Sequence, residues 1–412
     1  LARAIAVTLG ILTSVAAQSH SIKSENQGRT SIGVGTSQIE EFPAPVPGIQ
    51  PIGGIQSSPT GAETTANTAD RKGEIIFAPI PISSQAAGVG IVPVLAYVFH
   101  PSKLDRVSPP STLAFAGAYT STKTYGGGLG GLLNLKEDSY RIAFLVGAAR
   151  ARYEFFGIGS GAGTTGNSVW LSQHGHAVLL QAMRQIKWKI FVGPRYSHRQ
   201  IRAAHETTLQ DLFPSLPVPP DLENQFDLSI TSAALGFRVE RDTRNDMFYP
   251  RKGSRIDGRI DFFGPYVGST FSFQTYQFEM NKYLPYKQRH VIALRAMGCG
   301  VTGDRIPFFE LCQFGWMGDL RGYQTGRYRD RAMFATQGEW RIVLPKRLGA
   351  ALFGGVGEVA PDGGSFTTKN LLPSGGAGLR FNLSKQRRIH LRLDVAYSKT
   401  GGSWSMGVAE AF

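Results

Sequence analysis

Long apolar runs are absent from this 412-residue chain: beyond its N-terminus no stretch of eighteen apolar residues occurs, which excludes membrane-spanning helices. Charge is scarce as well, at 18% of residues. The strong enzyme signatures are missing, since there is no Gly-x-Ser-x-Gly elbow, no P-loop, no paired Cys-x-x-Cys and no His-Glu-x-x-His. Gly126 to Gly131 form a glycine-rich run, but it lacks the Lys-Ser/Thr of a phosphate loop and falls in a strand candidate. His174 and His176 share one face of a strand without a third ligand in view, so neither a metal nor another cofactor is expected. Cysteine is limited to Cys299 and Cys312. In an oxidising compartment they can close a short disulfide that stiffens the loop between them; the alternative is two unpaired thiols.

What the chain has instead is 50 glycines, 25 phenylalanines and a formal charge of +14. The basic residues are spread through strands and short turns, such as Lys385-Gln386-Arg387-Arg388, so no nucleic-acid partner is expected. A basic rim facing anionic lipid headgroups, or simple solubility of the turns, is the better use of them. Residues 1–17 carry Arg3, an apolar run from Ala4 to Val15 and the small-residue pattern Val15-Ala16-Ala17, which reads as a secretory signal peptide. Residues 18–73 are rich in Ser, Thr, Gln, Gly and Pro and bury too little apolar area to offset their ordering entropy. They read as a disordered periplasmic leader.

From residue 74 to 412 the pattern is alternation broken by turn signals. In residues 388–397, Ile389, Leu391, Leu393, Val395 and Tyr397 face one way and Arg388, His390, Arg392 and Asp394 the other, the apolar-out, charged-in pattern of a transmembrane β-barrel strand. Ile256, Ile260 and Phe262 alternate likewise with Arg255, Asp257, Arg259 and Asp261. A soluble sandwich would use the same alternation with the faces reversed. Fifteen such stretches, with residues 74–82 as a sixteenth, predict an all-β fold, an antiparallel transmembrane barrel of sixteen strands. Pro79 and Pro81 in that first stretch cannot donate to a ladder, so together with the C-terminal Phe412 they mark a weakly paired seam between first and last strands. Trp404 and Phe412 fall at opposite ends of the last strand on one outward face, which Glu410 shares by parity. Short turns at residues 185–187, 345–347 and 384–386 fall on the periplasmic side and the long loops 158–172, 201–228 and 301–330 on the other.

One segment organises the polar residues. Residues 315–341 begin as a glycine-rich loop holding Leu320-Arg321-Gly322-Tyr323, and from Thr336 they alternate, with Gln337, Glu339 and Arg341 opposite Trp340, Ile342 and Leu344. A guanidinium inside a barrel needs carboxylates to offset its desolvation. This segment resembles the loop-and-strand signature of the bacterial surface antigen family, the BamA/TamA-type outer-membrane barrels that insert or translocate proteins. The resemblance implies a loop between strands eleven and twelve that folds inward as a lid, with Arg321, Gly322 and Tyr323 as its tip and Glu339 as the first acid on which it docks. Where that family has a second aspartate, this chain has Gly355, so the resemblance implies either a weaker docking or Glu358 as the second acid. Asp242 to Gly253 is similar to the family's Asp-x-Arg-Asp-Asn-x-x-x-Pro-x-x-Gly turn with the Asn-Asp order exchanged, and the final Phe412 is similar to the terminal aromatic of many such barrels.

The resemblance further implies a bacterial outer-membrane location and a non-enzymatic role in assembling outer-membrane proteins or lipids through a lateral seam. Its partners would be outer-membrane lipids and unfolded outer-membrane proteins. The leader is too short and polar for a POTRA module, so no POTRA-mediated partner is expected. Rival readings are a structural or passive-pore barrel and an outer-membrane lipid-modifying enzyme.

Overall fold

The computed structural model describes residues 73–84, 88–102, 104–105, 107–205, 228–246, 249–287, 289–315, 319–345, 347–384 and 389–412. The signal-peptide and leader readings therefore lie, apart from Gly73, outside the described residues. Sixteen antiparallel strands close into one barrel. They are β1 (Glu74–Ser84), β2 (Gly88–Phe99), β3 (Ser111–Thr120), β4 (Tyr125–Leu135), β5 (Tyr140–Phe155), β6 (Val169–Gln185), β7 (Ile190–His205) and β8 (Leu228–Asp242), followed by β9 (Gly253–Phe263), β10 (Phe273–Tyr286), β11 (His290–Thr302), β12 (Ala332–Val343), β13 (Leu348–Ala360), β14 (Leu372–Ser384), β15 (Ile389–Ser398) and β16 (Gly401–Val408). Closure rules out the sandwich.

The period of two decides which atoms meet lipid. On β15, Leu393, Val395 and Tyr397 are exposed while Asp394, Ala396 and Ser398 are buried. On β8, Leu235, Phe237 and Val239 are exposed while Glu240 is buried. Exposed Trp340, Tyr397 and Trp404 add amphipathic rings of the kind that anchor at a lipid interface. Inside, charges pair along the wall: Arg238 lies 2.5 Å from Asp257, Arg255 3.3 Å from Glu279, and Arg195 3.0 Å from Asp261. Each arginine reaches a carboxylate on a neighbouring strand or one strand further on, which satisfies charge that the lumen would otherwise isolate. The inner wall of β1 to β3 departs from this rule, being lined by Val92, Val94, Ala96, Ala114 and Ala116.

Turns on the periplasmic side are tight where the sequence allows them. Lys136, Glu137 and Asp138 all take positive φ between β4 and β5. The longer connection from β2 to β3 is organised by Asp105, whose carboxylate accepts from the Ser108 hydroxyl at 2.6 Å and from the backbone N–H groups of Ser108, Glu137 and Val107 at 2.9, 2.9 and 3.1 Å. Those bonds, the Ser108 hydroxyl foremost, hold the Asp105 carboxyl well below the usual carboxylate range.

The seam is where closure is thinnest. β1 and β2 share eleven Cα partners, with Pro79 opposite Pro93, whereas among the described residues β1 and β16 share only Ser83 and Met406. β16 ends at Val408. Ala409 then takes φ 72°, which breaks the alternation and swings the last residues inward. The outward placement of Glu410 and Phe412 is thus corrected: Glu410 is buried beside Arg380, at 2.8 Å, and the Phe412 ring lies 5.5 Å from the Arg341 guanidinium. A parity count cannot see a left-handed residue, since a non-glycine seldom adopts one.

The register gives a direct check. A Ser83→Cys/Met406→Cys pair is expected to cross-link on mild oxidation, because directly opposed residues fall within disulfide reach, whereas Phe77→Cys/Met406→Cys is not. Non-reducing electrophoresis of the folded protein reads both, and equal cross-linking of the two pairs would contradict this register.

Candidate functional site

The loop from β11 to β12 leaves the outer end of the barrel and turns back into it. Its start is fixed by the Cys299–Cys312 disulfide, with Cα atoms 5.7 Å apart, and a two-residue ladder pairs Cys312–Gln313 with Arg329–Asp330. Between these points Phe314, Leu320, Tyr323 and Tyr328 are buried together. Arg199 on the wall meets Glu310 of the loop at 2.6 Å, and Gln324 donates to Glu154 at 3.1 Å. The loop is a packed insert with polar tethers, its apolar side chains sharing one core with Phe263, Phe273, Met333 and Val359 of the barrel wall.

Its tip carries Arg321. One guanidinium nitrogen lies 2.5 Å from Glu339 on β12 and another donates to Asp394 on β15 at 2.9 Å. The Arg321 backbone N–H donates to the Gln337 side chain at 3.2 Å, and the guanidinium carbon stands 3.5 Å from the centre of the Phe353 ring. Two carboxylates and an aromatic face satisfy a cation that is only 7% exposed. Gly322 follows at φ 108°, its carbonyl accepting from Ser398 at 2.9 Å. A Cβ there would stand 3.4 Å from the Cβ atoms of Ser374, Ala396 and Ser398, so both conformation and space call for glycine. The Tyr323 hydroxyl donates to the Pro373 carbonyl at 2.8 Å.

The second acid is therefore Asp394, and the expectation of Glu358 is corrected. Glu358 accepts from the Thr367 backbone N–H at 2.9 and 3.1 Å, near the outer end of β13. Gly355, the place of the family's aspartate, has no room for one: a Cβ there would come 2.5 Å from the Thr336 carbonyl and 3.0 Å from Leu320. Gly357 similarly leaves space for Phe314. These glycines form a seat into which the lid's apolar side settles, and the acid has moved two strands along the wall.

Glu339 and Asp394 belong to a larger cluster. Arg341 lies 2.6 Å from Glu339, and Arg380 lies 2.6 Å from Asp394, 2.8 Å from Glu410 and 3.5 Å from Glu339. His390 meets Glu410 at 2.9 Å, and Arg392 meets Asp394 at 3.3 Å. Arg341 also donates to the Phe412 backbone carbonyl at 2.8 Å and, at 3.5 Å, to that of Pro250. Tyr249 packs edge-on against His390, with ring centroids 4.6 Å apart. The lid tip, the Asp242 to Gly253 turn and the C-terminal aromatic, far apart in sequence, thus meet at one buried charge network. Sequence reading found the three motifs but missed Asp394, Arg380 and Glu410 as their common ground; the inward parity of Asp394 was the available signal.

His174 and His176 project from the outer face of β6, where both are exposed. Among the described residues no group of three or more His, Cys, Asp or Glu is placed to hold a metal ion.

A closed sixteen-stranded barrel, apolar outside and charged inside, with an outer loop docked in its lumen, defines a bacterial outer-membrane β-barrel with an internal lid. Residues 148–403 match the Omp85 superfamily domain, and the chain belongs to that superfamily. Among solved structures it is similar to BamA from Haemophilus ducreyi lacking POTRA domains 1-3, with 16% identity and a TM-score of 0.52 over 82% of this chain and 70% of that one. It is also similar to CdiB from Acinetobacter baumannii, at 12% identity and a TM-score of 0.54, and to CdiB from Escherichia coli, at 10% and 0.55. Each covers 82% of this chain, which spans 59% and 67% of those two proteins. No protein of curated function matches the chain.

Arg321→Ala would leave two buried carboxylates short of a partner, a loss of roughly 3–5 kcal/mol for a broken buried ion pair. The temperature at which the folded band disappears on unboiled gels should fall, and an unchanged temperature would remove Arg321 from the docking. Gly355→Asp, although it restores the family residue, is expected to displace Leu320 and lower the same temperature. A rise would show that the seat tolerates a second acid.

Proposed function

We propose that this barrel assists the insertion or translocation of outer-membrane proteins or lipids by a physical mechanism, with the lid bracing the lumen while the β1–β16 seam offers a backbone edge. The observation that carries the reading is the pairing of two features: a lid tip fixed between β12 and β15 by Arg321, and a closing seam held by a single pair of Cα partners among the described residues. Superfamily membership and the likeness to BamA and CdiB support it.

The physical logic is that of an edge strand. A strand joined to its closing neighbour at one register pair can template an incoming extended segment, and the missing donors of Pro79 and Pro81 weaken any permanent pairing there. The lid, anchored on the neighbouring wall, keeps the last strands in place while the seam is open. No bond is made or broken covalently in this scheme. The partners it calls for are unfolded outer-membrane proteins and the surrounding outer-membrane lipids.

The test is the outer-membrane protein and lipid profile of a deletion strain carrying either the wild-type chain or Arg321→Ala. Depletion of particular barrels or lipids, restored by the wild type and poorly by the variant, is the expected result. A profile indistinguishable from the parent strain would remove the assembly role and leave the passive-pore reading, which single-channel conductance then measures.

A further inference from the structure

The outer face of β5 to β7 changes character part-way up. On β5 the outward positions run Ile142, Phe144, Val146 and Ala148, then Arg150 and Arg152; on β6 they run Leu180 and Val178, then His176 and His174; on β7 they run Tyr196, then His198, Gln200 and Arg202. The register places Arg150 opposite His174 and His174 opposite Arg202, so three basic side chains form one row across three neighbouring strands. Ala148, His176 and Gln200 form the row below, with His198 stacked 5.7 Å from His176. Arg152 lies in the next row up, 4.1 Å over the Trp170 ring, and Tyr125 stands opposite Arg150 on β4.

We infer that this row is a binding surface for the phosphate groups of an anionic glycolipid in the outer leaflet. Height is the first argument. From Tyr140, at the inner end of β5, ten residues at about 3.3 Å each and a tilt near 40° place Arg150 roughly 25 Å up, the height of the apolar band of such barrels. The row therefore sits where hydrocarbon gives way to headgroup, on the side of the long loops. Charge is the second. Arg150 and Arg202 place two guanidinium groups in the row on either side of His174, Arg150 also donating to the Ser172 hydroxyl at 3.3 Å, and a phosphate over the row meets both cations. Arginine supplies paired N–H donors suited to phosphate oxygens.

Confinement is the third argument. Near the outer ends of the facing strands the outward positions are Tyr276, Gly300, Phe334 and Tyr397, so the basic row is a local patch and not a girdle. Exposure of His174, His176 and Arg202 keeps the row open to the leaflet, and the aromatic rings of Trp170 and Tyr125 frame it at the level these rings favour. A lipid bound here would be held outside the barrel, at least four strands from the β1–β16 seam. The surface is independent of the assembly reading, since it uses no residue of the lid or the seam.

The test uses the full chain folded in neutral detergent and titrated with bis-phosphorylated lipid A, followed by native mass spectrometry. Arg150→Gln/His174→Gln/Arg202→Gln should weaken binding at least tenfold, Arg150→Lys/Arg202→Lys, which keeps the charge but not the paired donors, should weaken it less, and Lys136→Gln/Lys187→Gln, on the periplasmic turns, should leave it unchanged. The folded-band assay confirms that each variant is intact. Dephosphorylated lipid A should bind weakly to the wild type, and inorganic phosphate at the same concentration should not compete. Undiminished binding by the triple Gln variant, equal loss in the periplasmic control, equal binding of the dephosphorylated lipid, or full competition by phosphate alone would each overturn the proposal.

Discussion

Everything polar in this lumen is arranged around a small set of arginines that cannot be left without carboxylates. Arg321, Arg341, Arg380 and Arg392 share Glu339, Asp394 and Glu410, so four cations meet three anions in a space where isolated charge is costly. The shortage of anions is met by carbonyls and ring faces: Arg341 uses the Phe412 and Pro250 carbonyls, and Arg321 uses Phe353. Because the partners come from β12, β14, β15, the lid, the turn before β9 and the C-terminal tail, the network fixes those elements to one another. Removing a member disturbs its neighbours non-additively, as coupled buried groups do.

The network also explains why the lid is a lid. A loop of this length would ordinarily lie outside the barrel and carry its own solvated surface. Here the Cys299–Cys312 bond narrows its start, Leu320 and Phe314 occupy the space left by Gly355 and Gly357, and Arg321 supplies the charge that the inner wall requires. Apolar seat and ionic tip act at different depths. Docking therefore depends on both, and neither a hydrophobic loop nor a lone arginine would reproduce it.

Much of this was legible in the sequence because a barrel strand writes its environment at every second residue. The alternation in residues 388–397 already separated Leu393 and Val395 from Asp394, and residues 336–344 separated Trp340 from Glu339. What was not legible depends on quantities that alternation does not contain. Which acid faces Arg321 is set by barrel shear and strand tilt, so Asp394, three strands from Glu339, could not be ranked above Glu358. The fate of Glu410 turned on one positive φ at Ala409. The apolar inner wall of β1 to β3 escaped notice because Ile75, Ile76, Ile80 and Ile82 are apolar on both faces, and a pattern without contrast has no readable side.

The inward turn of the tail links the network to the seam. Had β16 continued through Phe412 as an extended strand, its last residues would have been available to lengthen the ladder with β1. Instead Ala409 donates its N–H to the His390 carbonyl at 2.8 Å, and Glu410 and the Phe412 carbonyl are claimed by Arg380, His390 and Arg341. A buried carboxylate with two arginines within 4 Å and a histidine at hydrogen-bond distance is held far more firmly than a marginal edge pairing opposite two prolines would be. The charge network that docks the lid therefore also withdraws chain from the seam, so that a tightly held interior and a loosely closed edge are two consequences of the same arrangement.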